Sequence, residues 1–253
     1  MTSIHARRSL IHRLSPCSLR PTRPADHFST KQYSTRSKDN TKKPQQHENQ
    51  APSPSTQQPF GETRPRRIVV GITGATGTVY ATRILSILHQ QGVETHLVIS
   101  KWALATMKYE TKLSEADIHA LASRSYVVKD LSAPIASGSF QHDGMIIVPC
   151  SMKTLAAVRT GFCDDLISRA ADVTLKEGRK LLLAVRETPL SDVHLDNMLF
   201  LRRAGAVIFP PVPAFYTRPK SMDDLVDQTA GRMLDSMGLF TGGFKRWDGF
   251  ERD

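Results

Sequence analysis

Short apolar runs alternate with amphipathic stretches along the chain from residue 67 onwards. Runs rich in Val, Ile and Leu predict β-strands at residues 67–73, 95–99, 126–128, 145–149, 181–185 and 206–209, the first of them buried. Apolar residues at helical spacing predict helices at residues 79–91, 101–107, 115–122, 194–203 and 222–237, and one that begins at Ser151. Strands that alternate with helices favour a parallel, doubly wound α/β sheet in a single domain.

Residues 1–64 have a different composition. They hold 11 Lys and Arg against 4 Asp and Glu, so most of the net charge of +10 lies outside the predicted sheet, which disfavours a nucleic-acid-binding domain. The first 25 residues are rich in Arg and Ser and lack acids, which is typical of a mitochondrial transit peptide. The rest of the segment is too polar to bury a core. We predict a transit peptide and disordered linker at residues 1–64 and a folded domain at residues 65–253; a basic tail for an anionic partner is the alternative. No stretch approaches about 18 apolar residues, so we expect no membrane span.

The first predicted strand leads into a glycine-rich turn, Gly71-Ile72-Thr73-Gly74-Ala75-Thr76-Gly77. Ligands of doubly wound sheets bind beyond the carboxyl ends of the strands, and N–H groups at a helix start suit an anion. Glycines spaced by threes do not match G-x-G-x-x-G, and no Gly-Lys-Ser/Thr follows as in a P-loop. The second strand ends in Ser100-Lys101, not in the acid that would hold an adenosine ribose. The motif favours a mononucleotide or another phosphate over NAD, or else forms only a tight turn.

Three further motifs follow predicted strands. Pro149-Cys150-Ser151-Met152-Lys153-Thr154 offers hydroxyl donors and a cation at a helix start. Arg186-Glu187 follows a buried strand, where a charged pair is costly unless it is used or paired, so a structural ion pair is the alternative. Pro-Ala-Phe-Tyr-Thr-Arg-Pro at residues 213–219 follows the last strand.

Together with Ser-Gly-Ser at 137–139 and Arg-Ala-Ala-Asp-Val at 169–173, these motifs resemble the flavin prenyltransferases over residues 66–253. The resemblance implies a flavodoxin-like, three-layer domain that assembles as a homododecamer. It also implies transfer of a dimethylallyl group from dimethylallyl phosphate to N5 and C6 of reduced FMN, with no metal ion. The product, prenylated FMN, would serve a separate decarboxylase of the ferulate or ubiquinone-pathway type.

The resemblance also implies roles for individual residues. The flavin contacts fall on Gly74, Ala75, Thr76, Ser100, Ser151, Met152, Lys153, Thr154 and Arg186. The donor contacts fall on Tyr216, Arg232 and Trp247, with Arg169 and Lys176 as further cations beside the phosphate. Glu187 matches the catalytic acid/base, and Glu110 matches an active-site acid. Leu131 departs from the family, because some members have a tryptophan there in the prenyl pocket.

Other interpretations of the sequence remain open. Asp223-Asp224-Leu225-Val226-Asp227 resembles a magnesium–diphosphate motif, but acids behind Ser221 at a helix start favour an N-terminal cap. An FMN-dependent cysteine-type decarboxylase would share the fold, although Lys153 replaces the catalytic asparagine of that class. A non-enzymatic FMN-binding regulatory protein is the third alternative.

Overall fold

The structure is a computed structural model and describes residues 64–249, so the predicted transit peptide lies outside the described residues. Strands β1–β6 span Arg67–Ile72, Glu94–Ile99, Arg124–Tyr126, Gly144–Cys150, Lys180–Val185 and Val207–Ile208. Helices α1–α7 span Thr78–Gln90, Lys101–Glu110, Glu115–Ala120, Met152–Thr160, Leu166–Lys176, Asp192–Arg203 and Met222–Ser236.

All six strands are parallel and lie in the order β3-β2-β1-β4-β5-β6. Without the three-residue edge strand β3, this is the 2-1-3-4-5 order of flavodoxin-like sheets, which confirms the predicted fold class. Alternate residues of β1 face opposite sides, with Val70 in one core and Val69 in the other. Helices α1, α2, α3 and α7 cover the first face, and α4, α5 and α6 cover the second, which gives three layers.

Local boundaries differ from the prediction in several places. Helix α2 continues to Glu110, three residues beyond the prediction, and α6 begins at Asp192, two residues before it. The helix predicted from Ser151 is two helices, because Gly161 has a positive φ of 68° that ends α4 and Asp165 begins α5 with a capping box. Strand β3 begins at Arg124, two residues earlier than predicted. The cap predicted at Ser221 is confirmed, since its side chain accepts from the Asp224 N–H in a capping box.

The chain runs from β1 outwards through β2 and β3, and then crosses back to β4 on the other side of β1. Neighbouring connections therefore diverge between β1 and β4 and leave a crevice at their carboxyl ends. Among the described residues, no helix is both long enough and apolar enough to span a membrane.

Candidate active site at the carboxyl edge of the sheet

Thr73 ties the two walls of this crevice together. It lies just after β1 and is only 2% exposed. Its hydroxyl donates to the Pro149 carbonyl at 2.8 Å and accepts from the Ser151 N–H, also at 2.8 Å. The loops after β1 and β4 are consequently held in a fixed relation.

The crevice is a cavity of about 340 Å³ over the ends of β1, β2 and β4. Its lining includes five of the predicted flavin contacts, Gly74, Ser100, Ser151, Lys153 and Thr154. Thr73, Trp102, Asp165 and Ile167 complete the lining. The sequence analysis did not predict Trp102, Asp165 or Ile167 as lining residues. For Trp102, its position two residues after Ser100 is the local signal that could have indicated it.

Helix starts supply the polar groups of the crevice. The Ser100 hydroxyl accepts from the Ala103 N–H at 3.1 Å, and the Ser151 hydroxyl accepts from the Thr154 N–H at 3.4 Å. The Lys153 ammonium lies 3.3 Å from a carboxylate oxygen of Asp165 and 3.7 Å from one of Asp164, so acidic neighbours already balance its charge.

Glu110, the last residue of α2, caps α1. Its carboxylate accepts from the Gly77 N–H at 3.0 Å and from the Thr78 N–H at 2.8 Å. Burial alone would raise the pKa of Glu110, but hydrogen bonds from the Thr76 hydroxyl and these N–H groups bring the pKa below its usual value. The expectation that this helix start is open to a ligand anion is therefore wrong for Gly77 and Thr78, because a carboxylate of the chain already occupies it.

Arg186 and Glu187 follow β5, the next strand after β4. The Arg186 Nε donates to the Thr76 carbonyl at 3.2 Å, so the guanidinium reaches across β4 to the glycine-rich turn. Glu187 is exposed, and its carboxylate accepts from the Thr188 N–H at 3.1 Å. Among the described residues, Arg186 and Glu187 form no salt bridge with each other, so the alternative of a structural ion pair between them is not observed.

A second cavity of about 550 Å³ lies beyond β6. It brings together the three predicted donor contacts, Tyr216, Arg232 and Trp247. The Tyr216 and Trp247 rings meet edge to face with centroids 5.6 Å apart. The remaining lining residues are Phe209, Pro210, Val212, Ala214, Gln228, Thr229 and Arg246. Arg246 was not predicted; it pairs with Asp235 at 2.8 Å and stands next to Trp247.

The structure does not bring Arg169 and Lys176 to either cavity of the same chain. Arg169 donates to the Ala136 carbonyl at 3.1 Å and pairs with Asp172 at 2.9 Å. Lys176 pairs with Glu177 at the end of α5. Helix α5 begins beside the crevice, and ten residues of helix place Lys176 roughly 15 Å further along the axis.

The remaining predicted residues have local roles. The Ala75 N–H donates to the Thr73 carbonyl at 2.9 Å, and Met152 packs against the core under α4. Leu131 is exposed. Asp223 and Asp227 both pair with Arg83, so the acids of the diphosphate-like motif stabilise the α1–α7 contact. Among residues 64–249, no group of three or more His, Cys, Asp or Glu side chains is placed to hold a metal ion.

Comparison with known proteins agrees with this geometry. The family model described as Flavoprotein matches residues 56–235. The yeast protein named flavin prenyltransferase PAD1, mitochondrial, from Saccharomyces cerevisiae is 64% identical over 74% of this chain and 78% of its own length. A probable UbiX-like flavin prenyltransferase of Bacillus subtilis is 52% identical over 74% of this chain and 91% of its own length.

Two solved structures share the fold. AnUbiX (PadA1), in complex with FMN and dimethylallyl pyrophosphate, is 61% identical with a TM-score of 0.74, covering 74% of this chain and all of that one. A dodecameric FMN-dependent UbiX-like decarboxylase from Escherichia coli O157:H7 is 52% identical with a TM-score of 0.71, covering 72% of this chain and all of that one. Fold and crevice thus define a flavoprotein of the doubly wound class. Within that class, the chain belongs to the flavin prenyltransferase family.

Proposed function

We propose that this chain transfers a dimethylallyl group from dimethylallyl phosphate to reduced FMN and releases prenylated FMN. One observation supports the proposal: at the carboxyl edge of one sheet, one cavity is lined by five of the predicted flavin contacts and a second by Tyr216, Arg232 and Trp247. Strand β5, which ends just before Arg186 and Glu187, lies between β4 and β6 in the sheet. The crevice at β4 and the edge at β6 are two strand spacings apart, roughly 10 Å, which a three-ring flavin can span.

The crevice suits FMN. Gly74 lines the crevice at the glycine-rich turn, and its lack of a side chain lets Trp102 pack closely against that turn. The hydroxyls of Ser100, Ser151 and Thr154 and the ammonium of Lys153 surround the cavity with donors for a phosphate and for the polar edge of a flavin. Reduced FMN supplies the nucleophilic N5 and C6 positions.

The second cavity suits an allylic phosphate. The phosphate departs only if the negative charge that develops on it is stabilised, and preorganised cations and hydroxyls do this well. Arg232 and the Tyr216 hydroxyl line this cavity and would stabilise that charge, while Trp247 and Val212 would offer apolar surface to the five-carbon chain. Arg246 would add a second guanidinium, although Asp235 pairs with both arginines and offsets part of their charge.

Glu187 is the proposed proton acceptor and donor. It is exposed and follows Arg186 after the end of β5, the strand that lies between β4 and β6 in the sheet. Ring closure at C6 of the flavin requires loss of a proton, and a carboxylate at this place can take it. We propose that Glu110 acts indirectly in this chain, by holding the glycine-rich turn against α1.

Arg169 and Lys176 would act on the donor site of a neighbouring copy. Both lie on the outer side of α5, away from the cavities of their own chain. The isolated chain also exposes Val193, Leu195, Leu199 and Phe200 on α6, an apolar surface that favours assembly. We therefore propose a homo-oligomer, as in the dodecameric Escherichia coli relative, in which neighbouring subunits complete each site.

Two further parts of the proposal concern the cell. The mitochondrial yeast relative and the arginine-rich residues 1–25 support import into mitochondria. The product is a modified cofactor, so we propose a separate prenylated-FMN-dependent decarboxylase as its user.

The test incubates the protein anaerobically with reduced FMN and either dimethylallyl phosphate or dimethylallyl diphosphate. Mass spectrometry of the released flavin should show a gain of one prenyl unit. Arg232→Ala should lower turnover roughly 100-fold, as loss of one charge-stabilising donor does elsewhere. Glu187→Gln should lose turnover while it retains FMN, and Arg202→Ala, at an exposed arginine of α6, is the matched control. Unchanged FMN with both ligands bound would instead favour a binding protein.

Sharing of the site between subunits has its own test. Lys176→Ala and Glu187→Gln should each be inactive. Oligomers reassembled from an equal mixture of the two should regain about a quarter of the activity if the site draws these residues from different copies. No recovery would place both residues in one chain's site and refute the shared arrangement.

A further inference from the structure

Trp102 is an exposed aromatic residue at the mouth of the flavin crevice. It is the second residue of α2, two positions after the capping Ser100, and 71% of its surface is exposed. It lines the crevice together with Gly74 and Thr154. A large exposed aromatic side chain beside a concave polar site indicates a binding role more strongly than one on a flat surface, because a ligand or partner in the site would bury it.

Gly74 permits the close approach of Trp102 to the glycine-rich turn. A Cβ built at Gly74 would overlap the Trp102 Cβ and lie 3.3 Å from its backbone carbonyl carbon. Any other residue at position 74 would push the first turn of α2 away from the turn after β1. Glycine at position 74 therefore allows the first turn of α2 to pack against the glycine-rich turn, with Trp102 at the edge of the cavity.

The rest of the lining has a different chemistry. Thr73, Ser100, Ser151 and Thr154 carry hydroxyls, and Lys153 and Asp165 are charged. Ile167 is the aliphatic side chain of the lining and is 1% exposed. Among the lining residues, only Trp102 presents an aromatic face, which can stack on a planar ring system.

We propose that Trp102 is a flavin-binding residue that stacks on the isoalloxazine ring, which takes from the proposed function only that FMN occupies the crevice. The hydroxyls and Lys153 recognise the polar parts of FMN, and Trp102 recognises its aromatic part. Because Trp102 contributes only to ligands with an aromatic ring, the crevice should prefer a flavin to a ligand that has only a phosphate.

The chain has two tryptophans, Trp102 and Trp247, and each lines a different cavity. This makes the test specific. Tryptophan emission is unsuitable, because energy transfer to a flavin acts over long distances. Emission of bound oxidised FMN is suitable, because its quenching by electron transfer from an indole requires near contact.

Wild type and Trp247→Phe should both bind FMN in a weakly emitting state. Trp102→Phe should raise the emission of bound FMN several-fold, since phenylalanine does not donate an electron as indole does. Trp102→Ala should weaken FMN binding roughly tenfold, which is within what aromatic stacking contributes to binding of a nucleobase, and Trp102→Phe should recover most of that affinity. Ultrafiltration measures bound FMN, and near-native thermal melting of Trp102→Phe ensures that folding is intact.

Dim FMN in Trp102→Phe, or bright FMN in Trp247→Phe, would overturn the proposal. Unchanged FMN affinity in Trp102→Ala would overturn it as well. These outcomes leave the proposed function standing as long as wild type retains FMN and prenylates it. Failure of wild type to retain FMN would instead remove the proposed function.

Discussion

His142 precedes β4 and is buried, with 2% of its surface exposed. Its Nδ1 lies 3.2 Å from the Gly144 carbonyl, so that nitrogen carries the proton and donates. Its Nε2 is buried and has no hydrogen-bond partner. Burial, with the nearby Arg179 guanidinium adding to it, lowers the pKa of His142 from 6.5 to about 4, against smaller opposing effects of the hydrogen bond to Gly144 and of Asp143.

The perturbation is acidification from pH 7.5 to pH 5. The unfolded chain takes up a proton at His142 below pH 6.5, whereas the folded chain does so only near pH 4. The neutral His142 therefore makes its full contribution to the free energy of unfolding above pH 6.5. That contribution falls as the pH drops and levels off below about pH 4. The pKa difference corresponds to a loss of about 2 kcal/mol at pH 5, and screening at this edge of the domain reduces it to about 1–2 kcal/mol.

Urea unfolding at both pH values and one protein concentration measures this loss in wild type, His142→Gln and His89→Gln. His142→Gln should lose less stability on acidification than wild type by about 1–2 kcal/mol. His89→Gln, at an exposed position, should behave as wild type. His96 is also buried and its pKa is lowered by burial, but it remains in all three proteins. An equal pH dependence in wild type and His142→Gln would refute the reasoning.

Three further contacts can be tested by substitution or labelling. Glu110→Gln should lower the melting temperature by about 2–4 °C at neutral pH, because it weakens the cap of α1. The difference from wild type should shrink as acid protonates Glu110, and an equal loss at all pH values would contradict a charged cap. Phe244 packs against Gly231, so Gly231→Ala should displace Phe244, speed proteolysis within residues 240–249 and raise the KM for the donor. Adding Phe244→Ala to the same chain should restore the KM in part. An unchanged KM in Gly231→Ala would count against this contact. Cys150 is buried, and burial raises the pKa of its thiol to about 12, so iodoacetamide at pH 8 should leave it unmodified until the protein unfolds. Peptide mass spectrometry distinguishes it from the other two cysteines, and rapid labelling at Cys150 in the native protein would disprove its burial.

Apolar runs predicted β1, β2, β4 and β5 well, because strands buried on both faces are continuous and aliphatic. The short strands β3 and β6 were predicted less accurately, since β3 is polar and largely exposed and β6 has only two residues. The caps at Ser100, Ser151 and Ser221 were also predictable, since capping depends on residues within one turn. The break between α4 and α5 was missed, although Gly161 and Asp165 are adequate local signals. Five of the nine predicted flavin contacts line one cavity, and Tyr216, Arg232 and Trp247 line another, as expected from their placement behind parallel strands. Arg169 and Lys176 line neither cavity.

Local sequence thus established the α/β class and the edge of the sheet where ligands bind, because helix periodicity, strand composition and capping act between neighbours along the chain. Three features required the folded molecule: the capping of α1 by Glu110, the packing of Trp102 against Gly74, and the pairing of Arg246 with Asp235. Each depends on how separate elements pack, and packing joins residues whose positions in the chain carry no local sign of their contact.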